Sequence, residues 1–413
     1  MTGALDPFFL EDPSKLDEPF SDLAWLREHR PVYHHEPLDQ WFVFRYDDVR
    51  SLFADVRLSA NRMSGFTDAV PAPVRDEVRR LVPLFETWLM MRDGAEHRRL
   101  RTRLHTGFNA SAIEALHAPI ERAANDLLER RQAYRSLDIS GDYGLLLPAY
   151  VLADFIGVPR EDRDRVVGWS LDFVDFFNEI PITEQSTRRM VATAQDMMSY
   201  MRPLLAERRR EPREDFLGSM ARLAASGDEG DEITEDEIVG NTMLLLLAGH
   251  LPVRNLIGNA VWLLLSDPGQ AAAVRRDPSQ LRAAVEETLR FEPPVTLIPR
   301  IALQDIELRG ETIPAGAIVQ LSLAAANRDP DKFDRPDSFD LTRDPRGVLS
   351  FGHGPHGCLG ARLAREQSLV ALSILFARLD DLRLDENAEI RWYRNAANRG
   401  PDELHLTFGA IAA

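Results

Sequence analysis

Residues Phe351 to Gly360 read F-G-H-G-P-H-G-C-L-G and hold the only cysteine of the chain, Cys358. Gly352, Gly354, Gly357 and Gly360 let this loop turn sharply and bring backbone close to a flat partner. A helix-like run follows at once, so the sulfur should lie near N–H groups that no helical carbonyl accepts. Such donors favour thiolate over thiol, and thiolate is the form that ligates a metal. Phe351, seven residues earlier, is placed to pack beside the sulfur and keep water away. A lone cysteine is more often a buried, inert thiol. The surroundings of this one argue otherwise.

Composition narrows the classes. Hydrophobic residues make up 44% of 413, enough for a large core. One cysteine excludes an internal disulfide framework and fits a reducing cytosol, so a cytoplasmic protein is expected. Met1 to Glu11 lacks a basic segment followed by an apolar run, so no secretory signal is expected. No uninterrupted apolar stretch reaches the ~18 residues of a membrane span, so no membrane partner is expected. A net charge of −17 argues against nucleic-acid binding. Lys15 and Lys332 are the only lysines among 49 basic residues, a bias that reads as genome composition. There is no internal repeat and no low-complexity segment.

Along the chain, Trp41 to Arg45 reads as a strand and Asp47 to Phe53 as a short helix. Asp93 to Leu104 is a strongly basic helix on which His97 and Arg101, four apart, share a face. Residues 112–135 and 142–157 read as amphipathic helices, the second capped by Gly157 before Pro159. Residues 160–211 are helical again, with Trp169, Phe173, Phe176 and Phe177 on one apolar face. Arg208 to Arg213 and Gly227 to Glu232 read as exposed turns. The longest helix should start at the Thr234/Glu237 capping box and run to Leu265, before Asp267-Pro268. Glu287 and Arg290, three apart, fall on one helix face and can pair.

The pattern F-G-x-G-x-H-x-C-x-G resembles the haem-binding loop of the cytochrome P-450 superfamily. Ala248-Gly249, E-x-x-R at Glu287 to Arg290, Asn327-Arg328 and the meander Lys332 to Arg343 extend the resemblance over nearly the whole chain. It implies a mainly α fold with small β-sheets, one triangular domain over 1–413 enclosing one haem b. Residues 1–60 would form an N-terminal segment with a small β-region, and 61–413 the helical haem-binding body. Cys358 would ligate iron, with Phe351 and Gly360 beside it. His97, Arg101, Arg300 and His356 would hold the haem propionates. Glu287, Arg290 and Arg328 would form the family's fold-locking cluster. Trp88, Met90, Phe173, Phe176, Leu244, Val295, Thr296 and Ile298 would line a substrate pocket, with Ala397 in a late turn, Asn395 to Arg399. Ala248 and Gly249, small or bare, would leave room for dioxygen and substrate.

The central helix departs from the family pattern. An acid and a threonine usually follow A-G-x; here Leu251 and Pro252 stand. Neither can organise water or pass a proton. Pro252 has no N–H for the Ala248 carbonyl and should kink the helix there. Peroxide-using members also carry proline at that position, but with arginine before it. Arg254, about 200° further round the helix, should not face the iron.

The resemblance therefore implies a monooxygenase that inserts oxygen from dioxygen into a hydrophobic or aromatic small molecule, by hydroxylation, epoxidation or oxidative coupling. Bacterial natural-product biosynthesis is the expected setting. Ferredoxin and ferredoxin reductase would supply electrons. Arg98, Arg99, Arg101, Arg103, Arg346, Arg362 and Arg365 offer a local basic patch for such a partner, unless neighbouring acids pair them. A peroxide-driven peroxygenase is the alternative, and a non-catalytic haem-thiolate sensor or carrier the more remote one.

Overall fold

The structure, a computed structural model, describes residues 13–63, 66–178, 182–226 and 232–411. Met1 to Glu11, and 227–231 of the turn expected at Gly227 to Glu232, lie outside the described residues. The architecture is mainly helical with four small sheets.

The largest sheet has five strands, and only part of it belongs to the N-terminal segment. Val32–His35 pairs antiparallel with Gln40–Val43, which pairs parallel with Ile318–Ser322. Leu297–Ala302 lies antiparallel to Ile318–Ser322 and carries Leu58–Ser59 on its far edge. The division expected at residue 60 is therefore not a structural boundary. The early strands supply one side of a sheet whose centre comes from residues 297–322, because a short hairpin alone cannot bury a face.

The helices enclose a large apolar core, and two smaller clusters pack on the faces of this sheet. The core runs along the segment Glu235–Ser266, where Ile238, Val239, Met243, Leu246, Leu256 and Ile257 are all but fully buried. Each such side chain contributes about 1.5–3 kcal/mol through burial. Two segments, Ile139–Ile156 and Glu235–Ser266, are long and apolar enough to cross a membrane by length and composition. Each has 72% of its most apolar window buried in the fold, which marks both as core helices.

The expected single helix from Thr234 is two. Glu235–Ala248 starts at the expected capping box: the Glu237 N–H donates to Thr234 Oγ1 at 3.1 Å, and the Thr234 N–H to Glu237 Oε2 at 2.9 Å. It stops at Ala248, and a second helix, Leu251–Ser266, begins after Gly249 and His250. Pro252 sits in the first turn of the second helix, where a missing N–H costs nothing. The longest described helix is instead Glu184–Arg210, 27 residues. Arg208, expected in an exposed turn, is 2% exposed inside that helix and donates to Asp215 at 2.7 Å and to the Gly157 carbonyl at 2.6 Å.

Candidate active site

Cys358 ends a loop that Gly352 (φ +71°) and Gly354 (φ +70°) turn through conformations closed to most side chains. The Cys358 N–H donates to the Phe351 carbonyl at 2.8 Å, closing the loop on itself. The helix Ala361–Arg378 starts three residues later, and the Gly360 N–H donates to the sulfur. Arg365 lies 4.4 Å over the Phe351 ring and is held by Glu286 at 2.6 Å. Cys358 is exposed by surface area, yet protein surrounds its sulfur.

Burial pushes the Cys358 thiol up, and the Gly360 N–H, Arg101 and Arg365 offset only part of this. The N–H groups beside the sulfur therefore do not by themselves give a thiolate. A bound metal ion deprotonates a coordinating thiol outright.

Ala248 offers accessible surface on the central helix. It is exposed, while Asn241 to Leu244 and Leu246 in the same helix are buried. Gly249 beside it is half-buried. A Cβ there would meet the Leu245 carbonyl at 2.9 Å and Leu152 at 3.1 Å, so its bareness serves packing. His250 fills the helix break and is 1% exposed. Its Nε2 lies 2.5 Å from the Leu145 carbonyl and its Nδ1 2.6 Å from Ser170 Oγ. The carbonyl needs a donor, so Nε2 carries the proton and Nδ1 accepts from Ser170. Burial, with Arg254 adding a smaller push, takes this imidazole down to about 4 despite the Leu145 contact. Leu251 is buried, Pro252 half-buried, and Arg254 is occupied by Asp402 at 3.0 Å.

His97, His356, Asp93, Arg101, Arg62 and Arg300 gather in one region. The His97 and His356 rings lie 4.0 Å apart, and His356 Nε2 is 3.2 Å from Asp93 Oδ1. Burial would raise the Asp93 carboxyl, but His356, Ser59 Oγ and the Ala60 N–H hold it well below the usual range. Arg101 and Arg300 are drawn down by burial and make no ion pair among the described residues. His97 Nε2, Arg92 Nε and Trp88 Nε1 are buried without a partner. Uncompensated buried cations cost several kcal/mol each. The region thus holds more cationic groups than Asp93, already engaged by His356, can match. Haem b, with two propionates and an iron that Cys358 would ligate, would fit these residues.

The expected fold-locking cluster exists with a different third member. Arg290 donates to Glu287 at 2.9 and 2.8 Å, and to the Asn327, Pro336 and Ser338 carbonyls. The second guanidinium on Glu287 is that of Arg343, at 3.1 Å, and not that of Arg328. Arg328 is drawn instead to Glu292 at 3.3 Å, which Arg399 also contacts, and lies flat between Phe20 and Phe291. Glu292, 1% exposed, needs two guanidiniums of its own.

The expected pocket residues divide. Trp88, Phe173 and Phe176 are at most 2% exposed, locked by edge and tilted ring contacts through Phe85 and Phe66, so they form core rather than wall. Leu244 and Thr296 are also buried, Thr296 donating to the Ala396 carbonyl. Met90, Val295, Ile298 and Ala397 keep accessible surface. Val295 to Ile298 and the late turn meet as expected, through a Val295–Asn398 bridge and the Thr296 N–H on the Ala397 carbonyl at 2.9 Å. Sequence reasoning missed Arg62, Arg92, His250, Glu292 and Arg343. Only Glu292 left a local signal, an acid two residues after Arg290 and before Pro293-Pro294.

A loop-borne cysteine beside this cation-rich region describes a haem-thiolate enzyme, and the comparisons agree. The family model for cytochrome P450 matches residues 166–386. The chain is 37% identical over 376 residues to the vitamin D(3) 25-hydroxylase of Pseudonocardia autotrophica, covering 90% of this chain and 89% of that one. It is 34% identical to the mycinamicin IV hydroxylase/epoxidase of Micromonospora griseorubida, covering 93% and 94%. The crystal structure of CalO2 superposes with a TM-score of 0.89 at 32% identity, covering 98% of this chain and 100% of that one. The chain belongs to the cytochrome P450 family. It is a haem b monooxygenase, one of a class that works with redox partners, dioxygen and hydrophobic substrates.

Proposed function

We propose that this enzyme oxidises an apolar or aromatic small molecule in bacterial natural-product biosynthesis, in the cytoplasm, with electrons from ferredoxin and ferredoxin reductase. The observation that carries the reading is Cys358: a single cysteine at the end of a glycine-rich loop, with accessible surface, protein packed around its sulfur and a backbone N–H on it. Cys358 is assigned as the iron ligand. His97, Arg101, Arg300 and His356 are assigned to the propionates; of these, Arg101 and Arg300 are drawn down by burial and make no ion pair among the described residues. Bound haem supplies dioxygen activation and oxygen insertion. Ala248 gives the accessible surface of the central helix, and Met90, Val295, Ile298 and Ala397 the apolar surface for substrate.

Protons must arrive without the family's usual acid and alcohol. Leu251 and Pro252 carry neither, and His250 is turned away toward Leu145 and Ser170. We assign delivery to a substrate hydroxyl or carboxylate, or to water held at the Ala248 carbonyl, for which Pro252 has no N–H. The peroxygenase alternative lacks an anchoring arginine, since Arg254 is held by Asp402.

The test has two stages. Reduced protein with carbon monoxide should show a red-shifted Soret band that Cys358→Ser loses; an unchanged band in that variant overturns the ligand assignment. A panel of macrolactones, sterols and aromatic polyketides should then contain compounds that displace iron-bound water and give oxygenated product with ferredoxin and its reductase. Product formed from peroxide alone, at a comparable rate, would favour the peroxygenase.

A further inference from the structure

Arg62 and Arg300 converge on a single acceptor. Arg62 Nη1 reaches the Pro299 carbonyl at 3.3 Å, and Arg300 Nη1 reaches the same carbonyl at 2.9 Å. Arg300 is 6% exposed, with its guanidinium 5.6 Å over the Phe53 ring. Neither arginine has an ion-pair partner among the described residues. Asp93, the one carboxylate near both, already accepts from Ser59, the Ala60 N–H and His356. It makes no ion pair with either arginine, and its charge offsets theirs only in part.

Two like charges brought together, Arg300 buried and Arg62 half-buried, repel each other and lose hydration. The cost shows on Arg62, which burial and then Arg300 pull down to about 10. One carbonyl, a neutral dipole, and one carboxylate already engaged by three donors compensate the two cations only in part. A further carboxylate would complete the compensation, and two guanidiniums meeting at one point can each donate to it as a fork.

The geometry points to Arg62 as the second half of a two-arginine clamp, with Arg300, that closes on one carboxylate, and we assign that carboxylate to a haem propionate. This rests on the haem-thiolate reading above. Arg62 comes from the loop after Leu58–Ser59, the edge strand paired with Leu297–Ala302, which carries Arg300. Strand pairing therefore sets the spacing of the two guanidiniums. Substrate could also bring a carboxylate, and the test separates the two sources.

The experiment uses haem-loaded protein and the variants Arg62→Met and Arg62→Lys. Haem loss is followed by transfer to apomyoglobin, and the midpoint potential of the iron is measured alongside. Arg62→Met should lose haem at least tenfold faster and shift the potential downward, because a cation near the propionate no longer opposes the oxidised charge. Arg62→Lys should recover most of the potential but less of the retention, since an ammonium cannot donate as a fork. Unchanged haem loss and potential in Arg62→Met would overturn the assignment to haem. If dodecanoate binding alone then weakened, the clamp would belong to substrate; if nothing changed, there is no clamp. Failure of the haem-thiolate reading looks different, as the unaltered protein would lack the red-shifted band with carbon monoxide.

Discussion

Arg343 donates to Glu287 across 3.1 Å and so completes a buried cluster that Arg290 alone leaves half filled. Glu287 also accepts the Asp340 N–H at 3.0 Å, so the meander is tied to the helix Leu281–Phe291 at two points. Removing one partner of such a pair leaves a buried charge and costs about 3–5 kcal/mol. Arg290→Ala should cost that much, because its guanidinium also serves three carbonyls. A double-mutant cycle of Glu287 with Arg343 should give a coupling of roughly 1–3 kcal/mol, and one with Arg328 near zero. Thermal unfolding at fixed haem loading is the measurement. Equal couplings would return Arg328 to the cluster.

The second prediction is a pH dependence. Folded His250 titrates at about 4, below the free value of 6.5, so the unfolded chain takes up its proton first. Stability present above pH 6.5 is therefore lost as pH falls toward 4. The full effect is on the order of 3 kcal/mol. His250→Gln, which can still bond Leu145 and Ser170, should be less sensitive to acid over that window. An acid slope identical to that of the unaltered protein would show that His250 does not carry the effect.

These residues also show what the sequence could tell. The cysteine loop, E-x-x-R and the capping box were legible because spacing within a few residues defines their geometry. Gly157 was legible because a left-handed turn before proline is a local event, and it has φ +98°. His250 was not, since its partners lie 80 and 105 residues away and nothing local marks a histidine as a plug. Arg343 and Arg62 were lost among dozens of arginines, because the partner each one meets is decided by sheet and meander packing. The aromatic face at Phe173 and Phe176 was read correctly as apolar; only its depth, core against pocket wall, needed the third dimension.

On the ferredoxin reading, the basic patch is smaller than its arginine count. Arg99 is paired with Glu237 and Glu96, Arg346 with Asp344, and Arg365 with Glu286. Arg98 and Arg362 are exposed and make no ion pair among the described residues. Exposed unpaired charge is what steers an acidic partner. Arg98→Glu with Arg362→Glu should lower the rate of reduction by ferredoxin at low salt and flatten its salt dependence, while Arg346→Glu should do little. Stopped-flow reduction at several ionic strengths decides; a double variant with an unchanged salt slope would place the partner elsewhere.

The last prediction concerns Leu251 and Pro252, and the helix break changes what it should show. In an unbroken helix, restoring threonine at 252 would be expected to re-form the bond to Ala248. Here Pro252 lies in the first turn of a new helix, and His250 is pinned by Leu145 and Ser170, so Pro252→Thr alone should leave the break in place. Position 251 is 8% exposed, so a carboxylate there would be poorly hydrated and its acidity reduced, as a proton donor near neutral pH requires. A good general acid supplies about two to four powers of ten, and each tenfold corresponds to about 1.4 kcal/mol of barrier. If substrate or Ala248-bound water already delivers protons, Leu251→Asp with Pro252→Thr should raise coupled turnover less than tenfold, and the buried acid should lower the melting temperature. The measurement is product formed per electron consumed, with native substrate and ferredoxin. A gain of about a hundredfold, the low end of what a general acid supplies, would show that the native site lacks a proton source. The single variant Pro252→Thr then locates the effect: activity unchanged with the break intact assigns it to position 251, whereas a large gain from threonine alone would mean that the freed Ala248 carbonyl is not used.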